Sequence, residues 1–129
     1  MKKLITLAAI SCAFIAPVSL ADVADDLKNI CTIVKNNDKG ELRKKMRSVR
    51  KDYNLRLGDF YTGVTCGGSS LIRYSMQNES VDVGTYMIKK MSKGDLTAAE
   101  ADGISVKQWA ETNGYIETAI GKELIDRLN

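Results

Sequence analysis

The sequence predicts an all-α protein, three stacked helical hairpins in a row, and three observations lead there. Apolar residues recur at helical spacing along almost the whole chain. Serine and aspartate stand where helices would begin, with glycine and asparagine where they would end. The second half also resembles itself at a fixed offset, the mark of stacked units that cover one another's apolar faces. A chain of 129 residues supports one modest core.

Residues 1–21 read as a cleavable secretory signal. Met1-Lys2-Lys3 is positive, residues 4–15 are apolar apart from Thr6, Ser11 and Cys12, and Pro17 breaks the helix. Ser19-Leu20-Ala21 then offers small residues for a cut after Ala21. An uncleaved anchor would need roughly 18–20 apolar residues, more than this polar-dotted run supplies. A lipid-modified Cys12 fits poorly, because the apolar stretch continues beyond it. The product is therefore expected in the periplasm or outside the cell, with no transmembrane segment in the mature chain. Lys2 and Lys3 leave with the signal, so the net charge of +3 is no argument for nucleic acid. The cut also removes Cys12 and leaves Cys31 and Cys66. In an oxidising compartment their default is a single disulfide, with two buried free thiols as the alternative.

Val23, Leu27, Ile30, Cys31 and Val34 share one face of a helix over residues 22–35. Asn36-Asn37-Asp38 is a turn, with Asp38 as N-cap and Glu41 three residues on, close to a capping box. Leu42, Met46 and Val49 mark a second helix over 38–51, so residues 22–51 form an N-terminal cap hairpin. Residues 53–65 alternate, with aromatics and two glycines, and read as an extended or hairpin-like loop. A first repeat follows at 66–93 and a second at 102–128. Residues 68–82 fall on 103–117 with Leu71/Val106, Tyr74/Trp109, Ser75/Ala110, Val81/Ile116 and Asp82/Glu117 as conservative pairs. Each copy is a short helix capped by Ser70 or Ser105, a turn at Asn78 or Asn113-Gly114, and a longer second helix. Ile116, Ile120, Leu124, Ile125 and Leu128 stripe the last one. Gly94 and Gly114 suit helix C-caps. Gly84 and Gly121 fall inside second helices, where close packing would explain their cost. Tyr74 and Trp109 are expected between the stacked hairpins.

Two resemblances add to this. Gly103, Ser105, Ala110, Gly114 and Glu117, with Gly68, Ser70, Ile72, Ser75 and Asp82, stand in the register of ankyrin repeats. The departures are Leu71 and Val106 for the proline, Lys107 for the leucine, Arg73 and Gln108 for the histidine, and Glu79 for the turn glycine. The second half thus resembles a degenerate ankyrin pair, which implies a short ankyrin-like solenoid. Separately, Ile30-Cys31, Asn37-Asp38, a basic second helix, Val64-Thr65-Cys66-Gly67-Gly68 and Leu71-Ile72 resemble an uncharacterised family of short exported proteobacterial proteins. That family is known only as a domain of unknown function, and Gly67 departs from its usual asparagine. The resemblance implies export and a paired-cysteine scaffold, and supplies no activity.

Catalysis is not expected. The chain has no histidine, the common general base and zinc ligand, and no nucleophile-elbow, zinc-protease or phosphate-loop motif. Cys66 before two glycines lacks an activating partner, and Asp25 and Asp26 sit where acidic residues offset a helix dipole. Asn36 to Glu41 resembles a calcium loop only faintly: the glycine is early and Lys39 intrudes. No metal and no cofactor are expected.

The basic segment is more informative. Arg43, Arg47 and Arg50 form one row on the second helix, beside the apolar row, with Lys44 and Lys51 next to them. A solvated helix face is the plain explanation. The functional one is an anion-facing surface for an acidic protein, lipid phosphates or lipopolysaccharide. Nucleic acid is not expected, since export removes the chain from most of it. The sequence therefore points to an exported non-catalytic protein-binding module of the periplasm. An inhibitor or immunity-type protein for an envelope enzyme or toxin, or an anionic-lipid-associated factor, are the alternatives.

Overall fold

The computed structural model describes residues 20–129. The signal reading for residues 1–19 lies outside the described residues. Leu20 and Ala21 already belong to the first described helix, α1 (Leu20–Asp26). Every named element among the described residues is helical, and the one β-type pairing is an isolated bridge between Cys66 and Ser69.

The single helix expected over 22–35 is two, α1 and α2 (Ile30–Lys35). Lys28 N–H donates to Asp25 O and Ile30 N–H to Leu27 O, three residues back, and this tightening separates the two segments. The predicted apolar face survives the break: Val23, Leu27, Ile30 and Val34 are all buried. In α3 (Lys39–Tyr53) the Asp38 carboxylate accepts the Glu41 N–H at 3.2 Å, as an N-cap should. Glu41 does not reach back to complete the box; it pairs with Lys44 at 3.4 Å. Asn54, at φ 58, ends the helix in the left-handed region.

Residues 53–65 are neither extended nor hairpin-like. They hold α4 (Leu57–Phe60) and a 3-10 turn, Tyr61–Gly63. The Asp59 carboxylate accepts the Arg56 N–H at 2.8 Å and starts the turn. Leu57, Phe60 and Tyr61, at helical spacing, are then buried together. The apparent alternation came from Leu55 and Leu57, which lie on either side of the helix start.

The segments read as two repeats hold α5 (Leu71–Gln77) with α6 (Val81–Lys90), and α8 (Val106–Asn113) with α9 (Ala119–Leu128). An additional short helix, α7 (Lys93–Thr97), stands between them. Gly94 lies in its first turn and is not a C-cap; α6 ends at Met91, and Ser92 caps α7 by accepting the Asp95 N–H. Gly114, at φ +81, is the C-cap of α8. Glu79 holds the equivalent left-handed position in the first copy, at φ 54.

The copies run in register from Leu71 and Val106 to Glu79 and Gly114, then part. Val81 begins α6, but its counterpart Ile116 lies in a turn, and α9 starts only at Ala119. Thr118 caps it, accepting the Gly121 N–H at 3.1 Å. The Val81/Ile116 and Asp82/Glu117 equivalences therefore fail.

Helix α2 packs on α5 and α5 on α8; α3 packs on α6 and α6 on α9. Two rows of helices result, with α5 against α6 and α8 against α9 across them. Gly84 permits a close crossing. A Cβ there would stand 2.7 Å from Ile120 Cδ1 and 2.8 Å from Ser75 Oγ, so α5, α6 and α9 meet at a point without a side chain. Gly121 serves a different need: a Cβ there would strike the Tyr115 carbonyl, and Ile116 O at 2.5 Å. Its place is set by the turn before α9.

Cys31 of α2 and Cys66, ahead of α5, are joined in a disulfide with Cα atoms 5.6 Å apart. Past the C-terminal end of α2, Asn37 (φ 56) accepts the Val83 N–H at 3.0 Å and donates to Asp82 at 3.3 Å. One turn residue of the first hairpin thus supplies the cap at the start of α6.

Candidate functional site

Burial of Leu42 and Val49, with Met46 half-buried, fixes the rotation of α3. Arg43, Arg47 and Arg50 then project, exposed, along the flank beside α6. The facing turns of α6 contribute Thr85, Tyr86, Lys89 and Lys90. Two adjoining depressions lie between them. One, about 450 Å³, is bounded by Lys39, Arg43, Arg47, Thr85, Tyr86, Lys89 and Lys90. The other, about 620 Å³, has Met46, Leu55, Leu57 and Tyr86 within a rim of Arg47, Arg50, Lys51, Arg56 and Lys90. Arg47, Tyr86 and Lys90 belong to both.

No carboxylate among the described residues lines either depression. Among the described residues, none of these cations forms an ion pair within 4.0 Å. Lys90 Nζ lies 5.6 Å from the centroid of the Tyr86 ring. Burial raises the Tyr86 hydroxyl pKa, while Arg43 and Arg47 pull it back down. Unpaired like charges at this density repel one another, and an anion placed among them would relieve that repulsion.

Four of the five sequence candidates gather here: Arg43, Arg47, Arg50 and Lys51. Lys44 does not. It stands on the other flank of α3, in a depression shared with Asp26, Glu41 and Asp52, and pairs with Glu41. The sequence reading missed Tyr86, Lys89 and Lys90. Two lysines in the last turn of a helix are ordinary dipole partners, so their pattern alone gave no signal.

A second polar cluster lies away from this face. Arg73, 8 % exposed, makes a two-pronged contact with Asp102 at 2.6 and 2.9 Å and donates to Ile104 O at 3.2 Å. Its Nε is 2.6 Å from Glu100 Oε1, an ion pair without hydrogen-bond alignment. Glu100 also accepts the Tyr61 hydroxyl at 2.7 Å. The guanidinium lies 5.2 Å from the Trp109 ring centroid, and Trp109 stacks on Tyr115 at 5.1 Å. The Arg73 contact holds the Asp102 carboxyl down to about 2. Burial and the adjacent Glu100 raise the Tyr61 hydroxyl. Every charge here has a partner, so the cluster fastens the 99–104 loop to α5 and the 3-10 turn. Tyr74 and Trp109 are half-buried, and Trp109 serves this cluster.

Among the described residues, no group of three or more cysteine or carboxylate side chains could hold a metal ion. Nor is any described helix long and apolar enough to cross a membrane.

The family described as Protein of unknown function (DUF3718) matches residues 30–98, more than half of the chain. The chain belongs to the DUF3718 family. The matched DUF3718 segment opens at the first residue of α2 and closes at the residue capping α7. It contains both bonded cysteines and every residue that lines the two basic depressions. Helices α8 and α9, and with them Glu100 and Asp102, lie beyond it. No curated protein matches the chain, and no solved structure does. The match carries no relation to ankyrin repeats.

Proposed function

We propose that this DUF3718 protein is an exported, non-catalytic recognition module of the bacterial envelope that binds an acidic protein partner through its α3–α6 face. One observation carries the reading. Cations far apart in sequence, Arg43 and Arg47 on one side and Lys89 and Lys90 on the other, converge on one surface that no carboxylate among the described residues lines. A merely solvated helix needs no second helix to extend its charge.

Supporting features are the signal-like residues 1–21, the Cys31–Cys66 bond, and the two rows of helices. The bond suits an oxidising compartment. The rows suit a short ankyrin-like stack, an architecture generally used for recognition, which is an argument by analogy. The absence of histidine removes the commonest catalytic base.

The test is cross-linking in native envelope, comparing the wild-type chain with Arg43→Glu/Arg47→Glu and, separately, Lys89→Glu/Lys90→Glu. One acidic protein should be captured by the wild type and lost from both variants. Capture unchanged by either double reversal would defeat the reading.

A further inference from the structure

The two depressions differ in a way that narrows the class of partner. The first has Tyr86 as its one large apolar side chain, among Lys39, Arg43, Arg47, Lys89 and Lys90. The second has an apolar floor of Met46, Leu55 and Tyr86. Cations alone would take any anion. An apolar patch inside a cationic rim favours an apolar group flanked by negative charge.

We infer that this groove is an anchor site for a linear acidic segment of another protein, in which carboxylates flank one aromatic or aliphatic side chain. The inference rests on the acidic-partner reading and specifies its chemistry. The apolar side chain enters the space over Met46, Leu55 and Tyr86, and carboxylates reach the cations around it. The floor suits one side chain better than an acyl chain. Met46, Leu55 and Tyr86 are already half-buried, and among the described residues Val81 is the one large hydrophobic that is exposed. A lipid tail laid here would keep most of its length in water. The chain's own N-terminal residues are an unsuitable occupant, since Lys2 and Lys3 bring the same sign of charge.

The experiment titrates the full chain, disulfide formed, into two labelled glutamate-rich peptides of equal charge, one with a central phenylalanine and one with glycine in its place. Fluorescence anisotropy should show the phenylalanine peptide binding about tenfold tighter or more. Leu55→Ser should erase that difference, while Arg43→Glu weakens both peptides alike. Tyr86→Ala, checked for folding by circular dichroism, is a second probe of the floor. Equal affinity for the two peptides overturns the anchor and leaves the acidic-partner reading standing. Binding of neither peptide also overturns it. Flotation with phosphatidylglycerol vesicles and light scattering of the chain alone then distinguish a lipid surface from a second copy. Capture in native envelope is measured independently, so the two readings can fail separately.

Discussion

Three glycines inside helices should respond to alanine in opposite directions, although helix propensity predicts a gain of up to about 1 kcal/mol at each. At Gly94 the nearest atom to a new Cβ is Ser92 Oγ at 3.8 Å, an ordinary contact. In so short a helix we expect Gly94→Ala to stabilise by about 0.5 kcal/mol. At Gly84 the Cβ would meet Ile120 Cδ1 at 2.7 Å and Ser75 Oγ at 2.8 Å. Ile120 is buried, and Ser75 is held in place by donating to Ile72 O at 2.6 Å. Overpacking of this kind costs about 1–3 kcal/mol, so a net loss of about 1 kcal/mol remains after the propensity gain. At Gly121 the obstacles are the carbonyls of Tyr115 and Ile116, and backbone cannot rotate aside as a side chain can. That net loss should reach about 2 kcal/mol, the upper end of the overpacking range less the propensity gain. Urea unfolding followed by circular dichroism should rank Gly94→Ala above wild type, then Gly84→Ala, then Gly121→Ala. A Gly121→Ala protein as stable as wild type would refute the close turn before α9 and the geometry argued from it.

Replacing both Cys31 and Cys66 by alanine removes a cross-link across a sequence separation of 35. On the chain-entropy relation this costs about 4 kcal/mol, read as a lowered urea midpoint; a change below about 1 kcal/mol would mean the bond constrains little. Arg73→Met leaves the Glu100 carboxylate, 12 % exposed, without its cation, and should cost about 3 kcal/mol. Adding Glu100→Gln should recover part of that loss, and a double-mutant cycle without coupling would exclude the pair. Glu79 is left-handed at φ 54, so Glu79→Gly should stabilise by about 0.5 kcal/mol after glycine's greater unfolded freedom is subtracted, read as a raised thermal midpoint. The Tyr53 hydroxyl is raised to about 12, first because it donates to the Asp26 carboxylate and then through burial. A raised pKa means this contact is fully present below the ordinary tyrosine value of about 10 and is lost as pH climbs through 12. Titration followed by tyrosine absorbance should show this late step, and Asp26→Asn should move it down.

The buried faces were legible wherever one helix packs one stripe inward. Val23, Leu27, Ile30 and Val34 are buried although the helix beneath them breaks, because side-chain spacing records the face and not hydrogen-bond continuity. The 53–65 segment misled for a related reason. Four or five residues are too few to tell alternation from a single helical turn, and the deciding Arg56–Asp59 contact is local and polar. The second repeat misled through its turn, where four residues separate left-handed Gly114 from the next helix against one after Glu79, and move Ile116 and Glu117 out of register.

The sequence by itself determined the helical class, the Cys31 and Cys66 candidates, the family, and the arginine row of α3, because each rests on residue type and short-range spacing. Tertiary structure alone decided which cations lie together. Lys89 and Lys90 join Arg43 and Arg47 only because Gly84 lets α6 settle against α5 and α9 while α3 packs on its other side. Lys44, one residue from Arg43, is turned away among carboxylates. The electric field at a surface is a sum over distances in space, and distance along the chain does not enter it.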